Sequence, residues 1–239
     1  MASVQKMVVC DCDGTLLPHG EQQVSPAVFD VIRRLTGKGV LFVIASGRPY
    51  DQLQQLFRPV CQQVMFICMD GALIVNRECV LAKNPVPDAK VRELLAAYPD
   101  VLLFGRRKQA AFGNPKFPGQ PCSSLFAMGE PVLRVGVNTN DACPCNGLRP
   151  IYREDGWVEL VSETANKGSA LRTLCSKFDI DLANVYAFGD NDNDVELLGA
   201  VGHPYRMMDS KGDAINAFRS VRSVTDTLRE EFHLPNMLG

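Results

Sequence analysis

Short apolar runs alternate with amphipathic segments along the first third of the chain. Three runs have the length of strands and few polar interruptions: Met7 to Cys12, Val40 to Ala45 and Val64 to Cys68. Nearly continuous apolar strands are typical of a parallel sheet that is buried on both faces, because helices cover each face. The pattern therefore predicts a β-α-β-α-β order within an α/β fold.

A helix is predicted after the first strand. Ser25 suits its N-cap, Pro26 its first position and Gly37 its end. Apolar residues recur between these limits at helical spacing: Val28, Val31, Ile32 and Leu35. A second helix is predicted to open at Pro49, which completes the alternation of strands and helices.

The last third of the chain repeats this order. The pattern predicts a helix from Lys167 to Phe178, a buried strand from Val185 to Phe188 and a helix from Asp192 to Leu198. Short helices are predicted from Lys211 to Phe218 and from Thr225 to Phe232. These elements extend the same parallel sheet.

The middle of the chain has a different pattern, because predicted strands follow one another without helices between them. We therefore predict a smaller α+β domain of residues 83–162, inserted into a core made of residues 1–82 and 163–239. The predicted fold class of the core is a Rossmann-like parallel sheet with helices on both faces.

Composition and charge exclude several classes of partner. A formal net charge of −2 and 46% hydrophobic residues are typical of a globular protein that is not attracted to nucleic acid or to anionic membranes. The apolar runs are shorter than the ~20 residues that span a bilayer, and we expect no signal peptide before the first strand. The nine cysteines form no paired C-x-x-C units, so we expect reduced thiols in a cytoplasmic protein.

Polar side chains follow several predicted strands at their carboxyl ends, where ligands bind to open parallel sheets. They supply carboxylates, a hydroxyl group and glycines: Asp11, Asp13, Ser46, Gly47, Asp70, Gly71, Asp190, Asp192 and Asp194. So many carboxylates repel one another unless a cation lies among them, and oxygen ligands are those that Mg²⁺ prefers. The sequence therefore predicts a magnesium site at this edge.

Asp11 and Asp13 lie two residues apart where the first strand ends in the Gly14 turn. If both side chains enter one cavity, one carboxylate can attack phosphorus while the other transfers a proton. The pair alone is a weak signal, because turn capping would explain one aspartate. A calcium-binding EF-hand loop starting at Asp190 is excluded, since its required glycine and glutamate are replaced by Val195 and Val201.

Four motifs in this order resemble those of the haloacid dehalogenase superfamily of phosphohydrolases, and more closely its Cof-like branch. They are DCDGTLL at 11–17, ASGRP at 45–49, NKGSAL at 166–171 and GDNDND at 189–194. Four motifs in the right order, each at a strand or helix end, are far more specific than any one of them. The stretch before Pro26 is too short for an inserted domain, so the resemblance implies that the later insertion is the cap domain of this superfamily.

The resemblance implies a magnesium-dependent phosphatase that forms an aspartyl phosphate. Asp11 would be the nucleophile and Asp13 the general acid and base, with Ser46 and Lys167 as further catalytic residues. The implied substrate is a small phosphorylated metabolite, such as a sugar phosphate. A sugar phosphomutase and a non-catalytic phosphometabolite-binding protein are the alternatives.

The resemblance also implies the binding residues. Phosphate or substrate would be bound by Ser46, Gly47, Arg48, Lys167 and Asn193. Magnesium would be held by Asp11, Asp13, Asp190 and Asp194, with Asp13 contributing its backbone carbonyl. Asp194 would either bind the metal directly or orient Lys167 or metal-bound water.

Several of these residues have other interpretations when taken singly. Ser46 would serve as a helix cap, Lys167 as a solvated residue of a first helical turn, and Arg48 as the partner of an acid or a helix-end carbonyl. One position departs from the Cof-like pattern, which has Asn-Gly-Ala where this chain has Asp70-Gly71-Ala72. A carboxylate beside a phosphate is unfavourable unless it is protonated, paired or turned away.

Overall fold

The structure is a computed structural model, and it describes residues 6–113, 119–122, 128–139, 146–211 and 213–235. The chain divides into two compact units. The first contains residues 1–81 and 166–239, and the second contains residues 82–165. Within the described ranges, no helix has both the length and the apolar character needed to cross a membrane.

The chain contains strands in both units. In chain order they are β1 (Met7–Asp11), β2 (Leu41–Ala45), β3 (Val64–Cys68), β4 (Leu73–Asn76), β5 (Cys79–Lys83), β6 (Val101–Phe104), β7 (Gln109–Phe112), β8 (Gln120–Pro121), β9 (Arg134–Asn138), β10 (Leu148–Glu154), β11 (Trp157–Ser162), β12 (Val185–Asn191), β13 (His203–Lys211) and β14 (Arg219–Val221). The α-helices are α1 (Pro26–Gly37), α2 (Tyr50–Leu56), α3 (Asp88–Ala97), α4 (Lys167–Phe178), α5 (Val195–Leu198) and α6 (Val224–Glu231).

The first unit is built on an eight-stranded sheet with the order β14-β13-β12-β1-β2-β3-β4-β5. The central strand β1 pairs in parallel with β2 on one side and with β12 on the other. The chain first builds the sheet outward from β2 and later returns to build it outward from β12. This reversal of strand order places a ligand-binding crevice at the carboxyl ends of β1 and β12.

Local sequence signals explain how α1 and α4 begin. The Ser25 side chain accepts a hydrogen bond from the Ala27 amide at 3.3 Å, and Pro26 occupies the first turn of α1. The face of α1 predicted to be apolar is buried. Asn166 caps α4 in a reciprocal arrangement with Ser169. Both predicted helices are confirmed.

Two predicted helices differ from the structure. The helix predicted to begin at Asp192 is wrong at its start, because Asp192–Asp194 form a single 3₁₀ turn and α5 begins only at Val195. The helix predicted from Lys211 to Phe218 is also wrong, because Lys211 ends β13 and only Ala214–Ala217 form a short 3₁₀ turn.

The second unit contains a six-stranded sheet with the order β10-β11-β9-β6-β7-β8. Val91 and Leu94 of α3 pack in a buried cluster with apolar side chains of β6, β9 and β11. Gly136 of β9 lies against Trp157, because a Cβ atom at this glycine would be 2.0 Å from the indole ring. This unit therefore has an apolar core of its own. Two cysteines of this stretch, Cys143 and Cys145, lie outside the described residues.

Candidate active site

The predicted carboxylates converge at the carboxyl ends of β1 and β12. Asp11 ends β1 and is buried, whereas the side chain of Asp13 is 44% exposed. Asp190, near the end of β12, is also buried. Gly14 permits this approach, because a Cβ atom there would lie 2.0 Å from Asp190 Oδ2, and its φ of +88° suits glycine.

Lys167 lies in the first turn of α4 and bridges two of the carboxylates. Its Nζ donates to Asp11 Oδ1 at 2.6 Å and to Asp194 Oδ1 at 2.7 Å, and the lysine side chain has no exposed surface. The interpretation of Lys167 as a solvated residue is therefore wrong. Gly71 allows α4 to begin here, since a Cβ atom at Gly71 would be 2.2 Å from the Asn166 carbonyl oxygen.

The charges in this cluster do not balance. Burial raises the pKa of Asp11 well above its ordinary value; Lys167 opposes the shift, while Asp194 and Asp190 add to it. Burial lowers the pKa of Lys167, but the charges of Asp11 and Asp194 outweigh this effect and raise it. One ammonium group thus faces three carboxylates, and a further cation would stabilise their ionised forms.

Asp11, Asp190 and Asp194 can offer oxygen atoms to such a cation within 4.8 Å of one another. Asp11 Oδ2 is buried and has no hydrogen-bond partner, so this atom is available to a ligand. Asp194 is more heavily engaged, because its Oδ2 accepts from the backbone amides of Asp190 at 3.0 Å and Asn191 at 3.3 Å. The oxygen-only donor set fits a hard divalent cation such as Mg²⁺.

Arg48 forms a forked ion pair with Asp13. Its Nε lies 2.8 Å from Asp13 Oδ2 and its Nη2 lies 2.7 Å from Asp13 Oδ1. Ser46 supports the turn, because its Oγ accepts from the Arg48 amide at 3.1 Å. Pairing with an acid, one of the interpretations of Arg48 from the sequence, is thus what the structure shows.

Asp70 is paired rather than turned away. Its Oδ1 accepts from Asn193 Nδ2 at 3.1 Å, and its Oδ2 lies 2.9 Å from the point where a Cβ atom on Gly47 would stand. The charge of Asp70 also contributes to the raised pKa of Lys167. Asp70 therefore borders the predicted phosphate-binding residues, and it does so from a left-handed backbone with φ of 49°.

His19 was not predicted as a site residue. Its Nε2 lies 3.2 Å from Asp190 Oδ2, and its side chain is 47% exposed. A single histidine in a loop has no spacing or periodicity that points to such a contact. The contact between His19 and Asp190 arises only because the folded loop before α1 places His19 beside Gly14.

Known proteins resemble this chain over most of its length. A family model described as haloacid dehalogenase-like hydrolase matches residues 8–101 and 144–227. The 5-amino-6-(5-phospho-D-ribitylamino)uracil phosphatase YbjI of Escherichia coli is 22% identical, with 91% of this chain and 90% of that protein covered. The HMP-PP phosphatase of Serratia proteamaculans is 25% identical, with 90% and 87% covered.

Solved structures show the same fold. The phosphatase BT1666 of Bacteroides thetaiotaomicron, described as a member of the HAD superfamily, aligns with a TM-score of 0.81 and 18% identity. The alignment covers 98% of this chain and 97% of that one. The predicted α/β fold and the predicted phosphatase class of this superfamily are confirmed. Because the family model matches more than half of its residues, the chain belongs to the haloacid dehalogenase-like hydrolases.

Proposed function

We propose that the chain is a magnesium-dependent phosphatase that acts on a small phosphomonoester through an aspartyl phosphate at Asp11. The observation that carries this proposal is the buried Asp11 carboxylate, with one oxygen held by Lys167 and the other without a hydrogen-bond partner. Two relatives are a 5-amino-6-(5-phospho-D-ribitylamino)uracil phosphatase and an HMP-PP phosphatase, and this supports a small phosphorylated molecule as the substrate.

The proposed reaction has two steps. In the first, Asp11 attacks phosphorus, a bond forms between its carboxylate and phosphorus, and the ester bond breaks as Asp13 gives a proton to the leaving oxygen. In the second, Asp13 takes a proton from water as that water attacks phosphorus, which releases phosphate and restores Asp11. Arg48 orients Asp13 for both transfers, because its fork fixes the plane of the carboxylate.

Residues around Asp11 would bind the phosphoryl oxygens. Ser46 Oγ and the Gly47 amide would donate hydrogen bonds, and Lys167 would add a positive charge. The side-chain amide of Asn193 donates a hydrogen bond to Asp70. We propose that Asn193 also binds the phosphate while it keeps this contact. We also propose residues 1–82 and 163–239 as the catalytic core, and residues 83–162 as the cap.

Asp11, Asp190 and the backbone carbonyl of Asp13 would hold Mg²⁺. The ion would neutralise phosphoryl oxygens that otherwise repel an attacking carboxylate. Asp194 has its oxygens occupied by Lys167 and by two backbone amides. We therefore assign Asp194 to orienting Lys167 and the Asp190 loop rather than to binding the metal.

Removal of divalent metal tests the proposal directly. After treatment with EDTA and gel filtration, hydrolysis of p-nitrophenyl phosphate should fall by about 100-fold or more. Added Mg²⁺ should restore it, because the excess of carboxylates over Lys167 is then compensated. Full turnover by protein shown to be metal-free by elemental analysis would contradict the magnesium assignment.

A second prediction concerns Asp70. The substitution Asp70→Asn removes a negative charge beside the phosphate site, so KM should fall by about 3-fold to 10-fold with kcat nearly unchanged. Asparagine tolerates the left-handed backbone that this position requires, so the fold should be kept. Steady-state kinetics with a sugar phosphate measure the effect. A rise in KM would instead mean that the Asp70 carboxylate binds the substrate. Asp51→Asn, at the exposed start of α2, is the control and should leave KM unchanged.

A further inference from the structure

A cavity of about 580 Å³ lies in the first unit, between the loop before α1, α1 itself and the segment from Arg48 to Pro59. This volume is within the range of small-molecule pockets. Its polar lining consists of two guanidinium groups and four carboxamides: Arg48, Arg58, Gln22, Gln23, Gln52 and Gln55. The rest of the lining is apolar, and no aspartate or glutamate belongs to it.

Arg58 gives the cavity a positive charge, and Arg48 adds a guanidinium group whose own charge is paired with Asp13. Arg48 uses its Nε and Nη2 on Asp13, which leaves Nη1 available on the same guanidinium. Arg58 is exposed and makes no ion pair with any residue that the structure describes. Because guanidinium groups bind phosphate oxygens through paired hydrogen bonds, an anionic phosphate suits this lining better than a neutral or cationic ligand.

The carboxamides and the apolar wall indicate what accompanies the phosphate. In the described part of the chain, none of the four glutamine side chains makes a hydrogen bond, so their donors and acceptors are available to hydroxyl groups or to a heterocycle. Phe29 and Leu56 belong to the apolar part of the wall, which can cover the nonpolar face of a sugar or a base.

We propose that this cavity is a second binding site for a small organic phosphate. It is separate from the catalytic cluster, because its lining contains none of Asp11, Lys167 and Asp190. The two sites share only Arg48, whose fork contacts Asp13 while the residue also lines the cavity. A ligand here would therefore contact a residue that orients the proposed general acid without touching the reacting atoms.

The binding test uses ¹⁵N-labelled protein that carries Asp11→Asn, so that phosphate esters are not consumed. Glucose 6-phosphate and adenosine 5′-monophosphate are titrated separately, and glucose is the uncharged comparison. At least one phosphate should shift the side-chain NH₂ resonances of Gln52 and Gln55, while glucose should not. If neither phosphate shifts these resonances, or if glucose shifts them equally, the second site does not exist as proposed.

A charge variant separates this site from the catalytic one. Arg58→Gln should weaken the response of Gln52 and Gln55 by about ten-fold and leave the response of the Gly47 amide unchanged. Arg222→Gln, an exposed arginine elsewhere on the first unit, should leave both responses unchanged. Equal affinity in the Arg58→Gln variant would overturn the proposal. If a phosphate shifts the Gln52 and Gln55 resonances but not the Gly47 amide, the result counts against the proposed catalytic function. The proposal of a second site would then still stand.

Discussion

Replacing Asp11 with asparagine should lower turnover of phosphomonoesters by about 1,000-fold or more. Asparagine keeps the size of the side chain but supplies no nucleophilic carboxylate, so no aspartyl phosphate can form. The fold should be kept, because Lys167 retains its contact with Asp194. The measurements are kcat with p-nitrophenyl phosphate and the thermal unfolding midpoint of both proteins.

Two further results complete this test. Asp192→Asn is the matched control, since Asp192 is an exposed carboxylate of the fourth motif whose side chain makes no hydrogen bond or ion pair with the described residues of the cluster. It should keep nearly the full turnover. Acid-quenched wild type, mixed with a ³²P-labelled substrate, should retain label on the protein, and Asp11→Asn should not. Wild-type turnover in Asp11→Asn would refute the covalent mechanism.

The elements that could be predicted from the sequence carry their signals locally. The strands β1, β2 and β3 are buried runs of five residues each, and burial on both faces makes such runs almost wholly apolar. The start of α1 is set by Ser25 and Pro26, which act within one turn. Local patterns of this kind need no knowledge of the tertiary fold.

The missed elements depend on tertiary context. β13 is polar along much of its length and lies beside the edge strand β14, so it lacks a continuous apolar pattern. β4 begins after a turn in which both Met69 and Asp70 have positive φ. Methionine rarely adopts this conformation, so Met69 gives no signal of the turn, although Asp70-Gly71 is a common turn sequence.

The candidate site shows the same division. The meeting of Asp11 and Lys167, which are 156 positions apart, was implied by the resemblance of the four motifs to a known family. The motifs do not predict which side chains of the site pair with one another. Arg48 with Asp13 and Asn193 with Asp70 depend on rotamers within loops, which no periodic pattern encodes. The departure at Asp70 was visible in the sequence, but its partner was not.

Lys167→Met should give the largest loss of stability, about 3–5 kcal/mol in the free energy of unfolding. Asp11 and Asp194 would then be buried carboxylates without the ammonium group that now donates to both. Urea unfolding followed by circular dichroism measures the change. Lys177→Met, an exposed lysine of the same helix, should alter stability by less than about 0.5 kcal/mol.

A double substitution shows whether the loss arises from uncompensated charge. Asp194→Asn added to Lys167→Met removes one of the carboxylates that lost its partner, so the double variant should be less destabilised than the sum of the two single variants. Additive losses would mean that the Lys167 side chain stabilises the fold through packing alone. If Lys167→Met stays within about 1 kcal/mol of wild type, the buried ion pair is not what holds α4 against β1, and Lys167 would be present for catalysis only.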